Sequence, residues 1–208
     1  MTTKERIVEE ALTLFSIKGY KGTSVKNIAD AVGIKDASLY NHFKSKQEIF
    51  QAIVGLVNEH IQNLSLDIGI PQKYNAQQEE IEAFSKQIDL GYFKLLAKKT
   101  LTYFLTDPYI SKFWRITHME RYQNEEVYEM FKSIFMDRAL DYQTKMFEQL
   151  INNNVFQSKD ARAMAINFYA PIYMLISIYS NRTDKVNEAL DMLEKQIEEF
   201  YRLYCMRK

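Results

Sequence analysis

Glycine and proline are scarce, six Gly and three Pro in 208 residues. So few chain-reversing residues exclude a many-turned β protein and predict long, uninterrupted helices. Cysteine is nearly absent. The single Cys205 excludes an intrachain disulfide and a cysteine metal site, and fits a reducing compartment. Net charge is zero, 27 Lys+Arg against 27 Asp+Glu, so the global balance points to no polyanionic partner. The longest apolar run, Ala170 to Tyr179, is interrupted by Pro171 and Ser177. It falls well short of the roughly 20 residues that span a bilayer. The first residues are polar and lead into an amphipathic helix, unlike a secretory leader, so no membrane partner and a cytoplasmic location are expected. Catalytic motifs are missing as well. There is no HExxH, P-loop, GxGxxG or GxSxG. His42, His60 and His118 lack i, i+4 metal spacing. No catalytic residue, metal or cofactor is expected.

Hydrophobic residues make up 47% and charged residues 26%, enough for a folded chain of one or two domains. Lys21 to Glu48 is the most informative stretch. Val25, Ile28, Ala29 and Val32 recur at i, i+3, i+4 and i+7, one apolar helical face. Gly33 follows, where positive φ lets the chain reverse. Leu39 and Phe43, four apart, can dock a second short helix, about Asp36 to His42, on the first. Its other residues are polar and suit presentation to a partner. This is the pattern of a helix-turn-helix, whose second helix enters a DNA major groove. The charge distribution agrees. Between Lys18 and Lys46 six Lys face only Asp30 and Asp36, a local basic cluster of the kind that binds phosphates.

Caps mark the remaining elements. Thr2 and Glu5 are spaced as a capping box for helix 1, about Lys4 to Lys18. Thr23 or Ser24 can cap helix 2. Ser45 and Glu48 open helix 4, about 45–63, which connects a domain of residues 1–46 to one of residues 47–208. Helices are expected at 76–90, 91–105, from Asp107-Pro108 to about Tyr122, from Asn124 to Ile151, from a Ser158 cap to about Ser180 with a kink at Pro171, and from Thr183 or Asp184 onward. The last carries Val186, Leu190, Leu193, Ile197, Phe200 and Tyr204 at steps of 4, 3, 4, 3 and 4. That seam suits packing against another long helix.

Thr23-Ser24-Val25, Ile28-Ala29, Ala31-Val32-Gly33-Ile34 and, above all, Ser38 to Lys46 (SLYNHFKSK) closely resemble the TetR/AcrR family of transcriptional regulators. The resemblance covers the first 50 residues or so. It implies an all-α homodimer: an N-terminal three-helix helix-turn-helix DNA-binding domain plus a C-terminal helical bundle for ligand binding and dimerisation. It also implies a palindromic double-stranded DNA operator, released when a small molecule binds. Tyr40 and Lys46 match the family's phosphate-contacting Tyr and Lys, and His42 matches a motif position.

Phosphate contacts position such a protein and base-edge contacts specify its site. Thr23 and Ser24, at a helix N-terminus, with Tyr40, His42 and Lys46, are the phosphate candidates. Lys35, Asp36, Ala37, Ser38 and Asn41 are the base-edge candidates. Lys35 suits guanine, Asn41 adenine and Ala37 a thymine methyl. Lys35 and Asp36 depart from the Ser or Thr cap and the basic or small residue common in the family, which bears on the operator sequence.

The segment 101–131 carries eight aromatics, about double the chain's 13% average. Pockets are mostly apolar and aromatic with a few placed polar groups. Tyr103, Phe104, Phe113, Trp114, His118 and Tyr122 are the candidate lining for a small apolar or aromatic effector, with packing in a helical core as the other reading. The seam residues Leu190, Leu193, Ile197, Phe200 and Tyr204, with Tyr173, are the candidate dimer contacts; the other reading is packing inside one subunit. A C-terminal domain that binds a protein in place of a small molecule is the alternative function.

Overall fold

The computed structural model describes residues 1–67, 89–158 and 160–205. Among them are ten α-helices and no β-strand: α1 (Thr3–Lys18), α2 (Val25–Val32), α3 (Asp36–Tyr40), α4 (Lys46–Asp67), α5 (Leu90–Thr106), α6 (Pro108–Glu120), α7 (Glu125–Lys132), α8 (Arg138–Asn152), α9 (Ala161–Tyr179) and α10 (Val186–Tyr204). The all-α expectation holds. The helix expected at 76–90 lies outside the described residues up to 88. The described chain divides into two compact units, Met1–Gln62 with Pro108–Met130, and Asn63–Asp107 with Phe131–Lys208. This division differs from a break after residue 46, because the chain returns through α6 to the first unit.

In the first unit the helix ends form largely where the sequence places them. Thr2 and Glu5 make the reciprocal capping box of α1. Ser24, rather than Thr23, caps α2, accepting from the Asn27 N–H while the Asn27 side chain accepts from the Ser24 N–H. Gly33 ends α2 at φ 76 and ψ 34. Its N–H goes to Asp30 O at 3.1 Å, and the Ile34 N–H to Ala29 O at 3.0 Å. This paired closure is the Schellman motif, which requires a left-handed residue at the glycine. The α3 helix is shorter than expected, five residues, followed by turns that seat Phe43. Ser45 accepts from the Glu48 N–H at 3.1 Å, and the Glu48 carboxylate takes the Lys44 N–H at 2.7 Å.

The core of this unit is the predicted apolar face. Ile7, Ala11, Leu12 and Phe15 of α1, Ile28 and Ala29 of α2, Leu39, Phe43, and Ile49, Phe50 and Ile53 of α4 are buried. Each large side chain removed from water contributes about 2 kcal/mol. Phe15, Tyr20 and Phe50 meet as a ring trio with centroids 5.2 to 6.2 Å apart, and Phe113 of α6 adds to Phe50 at 6.2 Å. Polar ties run beside these rings. Tyr109 donates to Glu9 at 2.7 Å, Lys112 to Thr13 at 2.9 Å, and both Gln47 and Gln51 to Glu126. Asn124 caps α7 as expected.

The chain enters the second unit at the end of α7, which passes into α8 through a π-helical segment, Ser133–Asp137. The widened turn seats Phe135, whose carbonyl accepts from the Tyr169 hydroxyl at 2.6 Å. Burial raises the pKa of that phenol well above its ordinary value. Asn154, at φ 57, supplies the left-handed stop expected of the Asn run. Asp160, not Ser158, caps α9, accepting from the Ala163 N–H at 3.0 Å. The helix then continues through Pro171.

Phe93, Phe147, Phe156, Phe168 and Phe200 form an aromatic centre, with Phe93 to Phe168 at 5.1 Å and Phe168 to Phe200 at 5.3 Å. Lys94 and Lys98 of α5 bind Glu194 and Glu198 of α10 above it. The expected dimer seam therefore needs correction. Leu193, Ile197 and Phe200 are buried within the protomer. Leu190 is half-buried, and Tyr204 stacks on Phe200 at 4.7 Å and accepts from Asn167 at 2.7 Å. The seam faces α5, since a heptad stripe fits any long helix partner and the nearest one belongs to the same chain. The large apolar residues of α9 and α10 that do face outward are Ile166, Met174, Ile178, Met192 and Leu203, each at least 43% exposed.

Candidate nucleic-acid interface

The α3 helix carries the candidate surface. Leu39 is its one buried residue, at 0%, and pins it to α2. On either side Lys35, Asp36, Ala37, Ser38, Tyr40, Asn41 and His42 are all exposed. The sequence explains this distribution: a single large apolar residue gives α3 one contact line to its own domain, and its other side chains stay in solvent. Lys35 precedes the helix without capping it. Asp36 sits in the first turn, where a carboxylate complements the helix dipole. The surface therefore presents donors, acceptors and a methyl group within one short helix.

The flanking residues behave differently. Thr23 is buried, and its hydroxyl donates to Gly19 O at 2.9 Å. It is a loop fastener, which corrects the expectation of a hydroxyl offered to phosphate. Ser24 is exposed, but its Oγ is engaged with Asn27. Lys46 is half-buried: its ammonium donates to Tyr20 O at 2.8 Å and Thr23 O at 3.0 Å, and lies 4.2 Å from the Tyr20 ring centroid. Desolvation lowers its pKa, partly offset by the nearby Glu120 carboxylate. Of three N–H donors two are used internally, which leaves one for an anion. Tyr40 keeps half of its surface in solvent. Lys18, Lys21, Lys26 and Lys44 are exposed as well. Sequence reasoning did not find Lys4, whose ammonium lies 5.3 Å from the Phe43 ring; no motif marks that pairing.

The aromatic segment spans both compact units. Tyr103 and Phe104 lie on α5 in the second unit, half-buried, with Phe104 6.5 Å from Phe135. Phe113 and Trp114 are core residues of the first unit. His118 stacks on Trp114 at 4.3 Å and its Nδ1 is 2.9 Å from Trp114 O. Burial, then Arg121, lowers its pKa against the opposing effect of that carbonyl. Tyr122 is 81% exposed and rests on Arg121. Helical spacing put these rings in one segment, but residues 103–122 run from the end of α5 through α6 to the turn beyond it, so their rings belong to two compact units. An open groove of about 470 Å³, lined by Thr144, Glu148, Asn152, Asp160 and Arg162 among others, is polar and unlike an apolar effector site.

Residues 7–53 match the model of the bacterial regulatory proteins of the tetR family. Over 61 residues the chain is 46% identical to the biofilm operon icaADBC HTH-type negative transcriptional regulator IcaR of Staphylococcus aureus strain Newman, covering 29% of this chain and 33% of that protein. The chain thus aligns with about a third of the length of the curated relatives it matches. Among solved structures, one assigned to the TetR family of transcriptional regulators from Mesorhizobium loti MAFF303099 has a TM-score of 0.70 at 19% identity, with 98% of this chain and 97% of that one covered. A complex of SmeT with triclosan has a TM-score of 0.69 at 18% identity, covering 99% and 93%. At such identities the likeness is one of fold.

Proposed function

We propose that this chain, which belongs to the TetR family of bacterial regulatory proteins, is a sequence-specific DNA-binding transcriptional regulator that acts as a repressor in the cytoplasm. The observation that carries this reading is the exposure of Lys35, Asp36, Ala37, Ser38, Tyr40, Asn41 and His42 around the single buried anchor Leu39. An element so placed contributes little to its own core and is arranged for a groove. The identity of its N-terminal segment to a negative regulator supports the sign of the effect.

The working form is a homodimer, which sets two α3 helices one DNA turn apart, about 34 Å. Its contact face is the outward side of α9 and α10, with Ile166, Met174, Ile178, Met192 and Leu203. An effector that binds better to a form with altered helix spacing shifts the population away from DNA. The likeness in fold to a triclosan complex supports a small apolar or aromatic effector. A protein effector is the second reading, favoured by Met119 and Tyr122, which stand exposed on the first unit.

Selection of random duplexes by the purified protein at two salt concentrations tests the reading. A palindrome retained with affinity that falls steeply with salt is expected. No enrichment at either salt refutes it.

A further inference from the structure

The loop from Gly19 to Thr23 joins α1 to α2 and fixes where α2, and the surface it carries, begins. Two oppositely charged side chains hold its backbone. Lys46, from α4, takes the carbonyls of Tyr20 and Thr23. Glu120, the last residue of α6 and 100 positions from Tyr20, takes the Tyr20 N–H at 2.9 Å. Both backbone polar groups of Tyr20 are thus engaged by charged side chains from outside the loop.

Glu120 is only 7% exposed. Acids are almost never buried this far without a partner, because desolvation of the charge is costly. The fit around it is close. Gly19 has φ 76, and a Cβ there would come within 2.6 Å of the Glu120 Oε1. A residue with a side chain at position 19 would therefore meet both backbone strain and the carboxylate. The neighbouring bonds share this register: the Gly19 N–H goes to Phe15 O, and the Gly19 carbonyl accepts from Thr23. An apolar residue at 120 would fill the volume without fixing the Tyr20 peptide.

We infer that Glu120 is a positioning residue for DNA binding: it touches no DNA, and it sets the α1–α2 loop from the opposite side to Lys46, so that α2 and α3 meet the duplex in register. The inference rests on the DNA-binding reading above. It makes α6 a direct support of the helix-turn-helix, and gives any change at the end of α6 a route to DNA affinity through one hydrogen bond.

The test measures Glu120→Ala and Glu120→Gln against the duplex selected by the wild-type protein, with amide hydrogen exchange followed in the same variants. Glu120→Ala is expected to bind about tenfold more weakly, the loss of one buried hydrogen bond to a charged group. Its salt slope stays that of wild type, because no phosphate contact is removed. Glu120→Gln keeps an acceptor for the Tyr20 N–H and recovers most of the affinity. Exchange at Tyr20 quickens in Glu120→Ala and not in Glu120→Gln. Wild-type affinity in Glu120→Ala, a reduced salt slope, or a glutamine variant as weak as the alanine variant overturns the inference. So does a deficit that disappears once affinity is corrected for the folded fraction. If wild type selects no duplex, the DNA-binding reading fails on its own. The exchange at Tyr20 then decides whether Glu120 holds the loop, and unchanged exchange refutes that.

Discussion

The Arg6 guanidinium donates to the Val32 carbonyl across 2.6 Å. The first turn of α1 thereby closes the last turn of α2, where helix carbonyls have no partner of their own. Arg6→Ala is expected to destabilise the protein by about 1 kcal/mol, the net worth of such a bond. Denaturant midpoints measure it. An unchanged midpoint would mean that water replaces the arginine without loss.

Gly33 and Gly19 share a φ of 76 but differ in surroundings. A Cβ at Gly33 meets nothing within 4 Å, while one at Gly19 meets Glu120. Gly33→Ala should cost about 1–2 kcal/mol, from left-handed backbone strain alone, and Gly33→Asn less. Gly19→Ala should cost more, and part of that excess should vanish in the Glu120→Ala background. Additive losses in the double variant would remove the steric account.

On the proposed function, Asn41 reads a base edge and Tyr40 grips a phosphate. Both are exposed on α3, so neither substitution should move thermal stability. Asn41→Ala is expected to relax specificity at one base position, worth about 1–3 kcal/mol of discrimination. Tyr40→Phe should weaken all duplexes alike. Selection repeated with each variant distinguishes the two, and the reverse pattern would exchange their roles.

His118 is held neutral by burial, with its pKa lowered. A histidine of this kind binds fewer protons folded than unfolded. Its contribution is complete above the ordinary histidine pKa, about 6.5, and is lost as pH falls below that value toward the lowered one. Wild-type Tm should therefore drop between pH 7 and 5 by more than that of His118→Phe. Parallel Tm curves for the two would show that another group titrates.

Ile178 and Leu193 distinguish the outer face from the inner seam. Ile178 is 53% exposed and Leu193 fully buried. Ile178→Asp should shift sedimentation from dimer to monomer while the helical spectrum is kept. Leu193→Ala should cost about 2–5 kcal/mol through a core cavity. A dimer that survives Ile178→Asp and Met174→Asp together places the contact elsewhere.

The readable parts of this chain were those governed by neighbours in sequence. Thr2 with Glu5, Gly33 after Val32, Pro108 after Asp107 and Asn154 act within one helical turn, so their pattern is their structure. The α3 surface was legible for the same reason, since one apolar residue among polar ones leaves few ways to dock. Thr23 and Lys46 were harder. Their residue types suit phosphate, yet their partners are carbonyls of a loop, and Lys46 reaches it across 26 positions. Nothing local in KSKQE distinguishes the two uses.

By itself, then, the sequence determined most of the described helices, several of their caps and the outward chemistry of α3, because backbone hydrogen bonds and 3.6-residue periodicity act over a few residues. The tertiary structure alone decided where each apolar face would find its partner. The seam of α10 turned inward to α5, the aromatics of 103–122 parted between two units, and α6 came back to place Glu120 on Tyr20. Burial is indifferent to sequence distance, so a stripe shows that a face must be covered and leaves open what covers it.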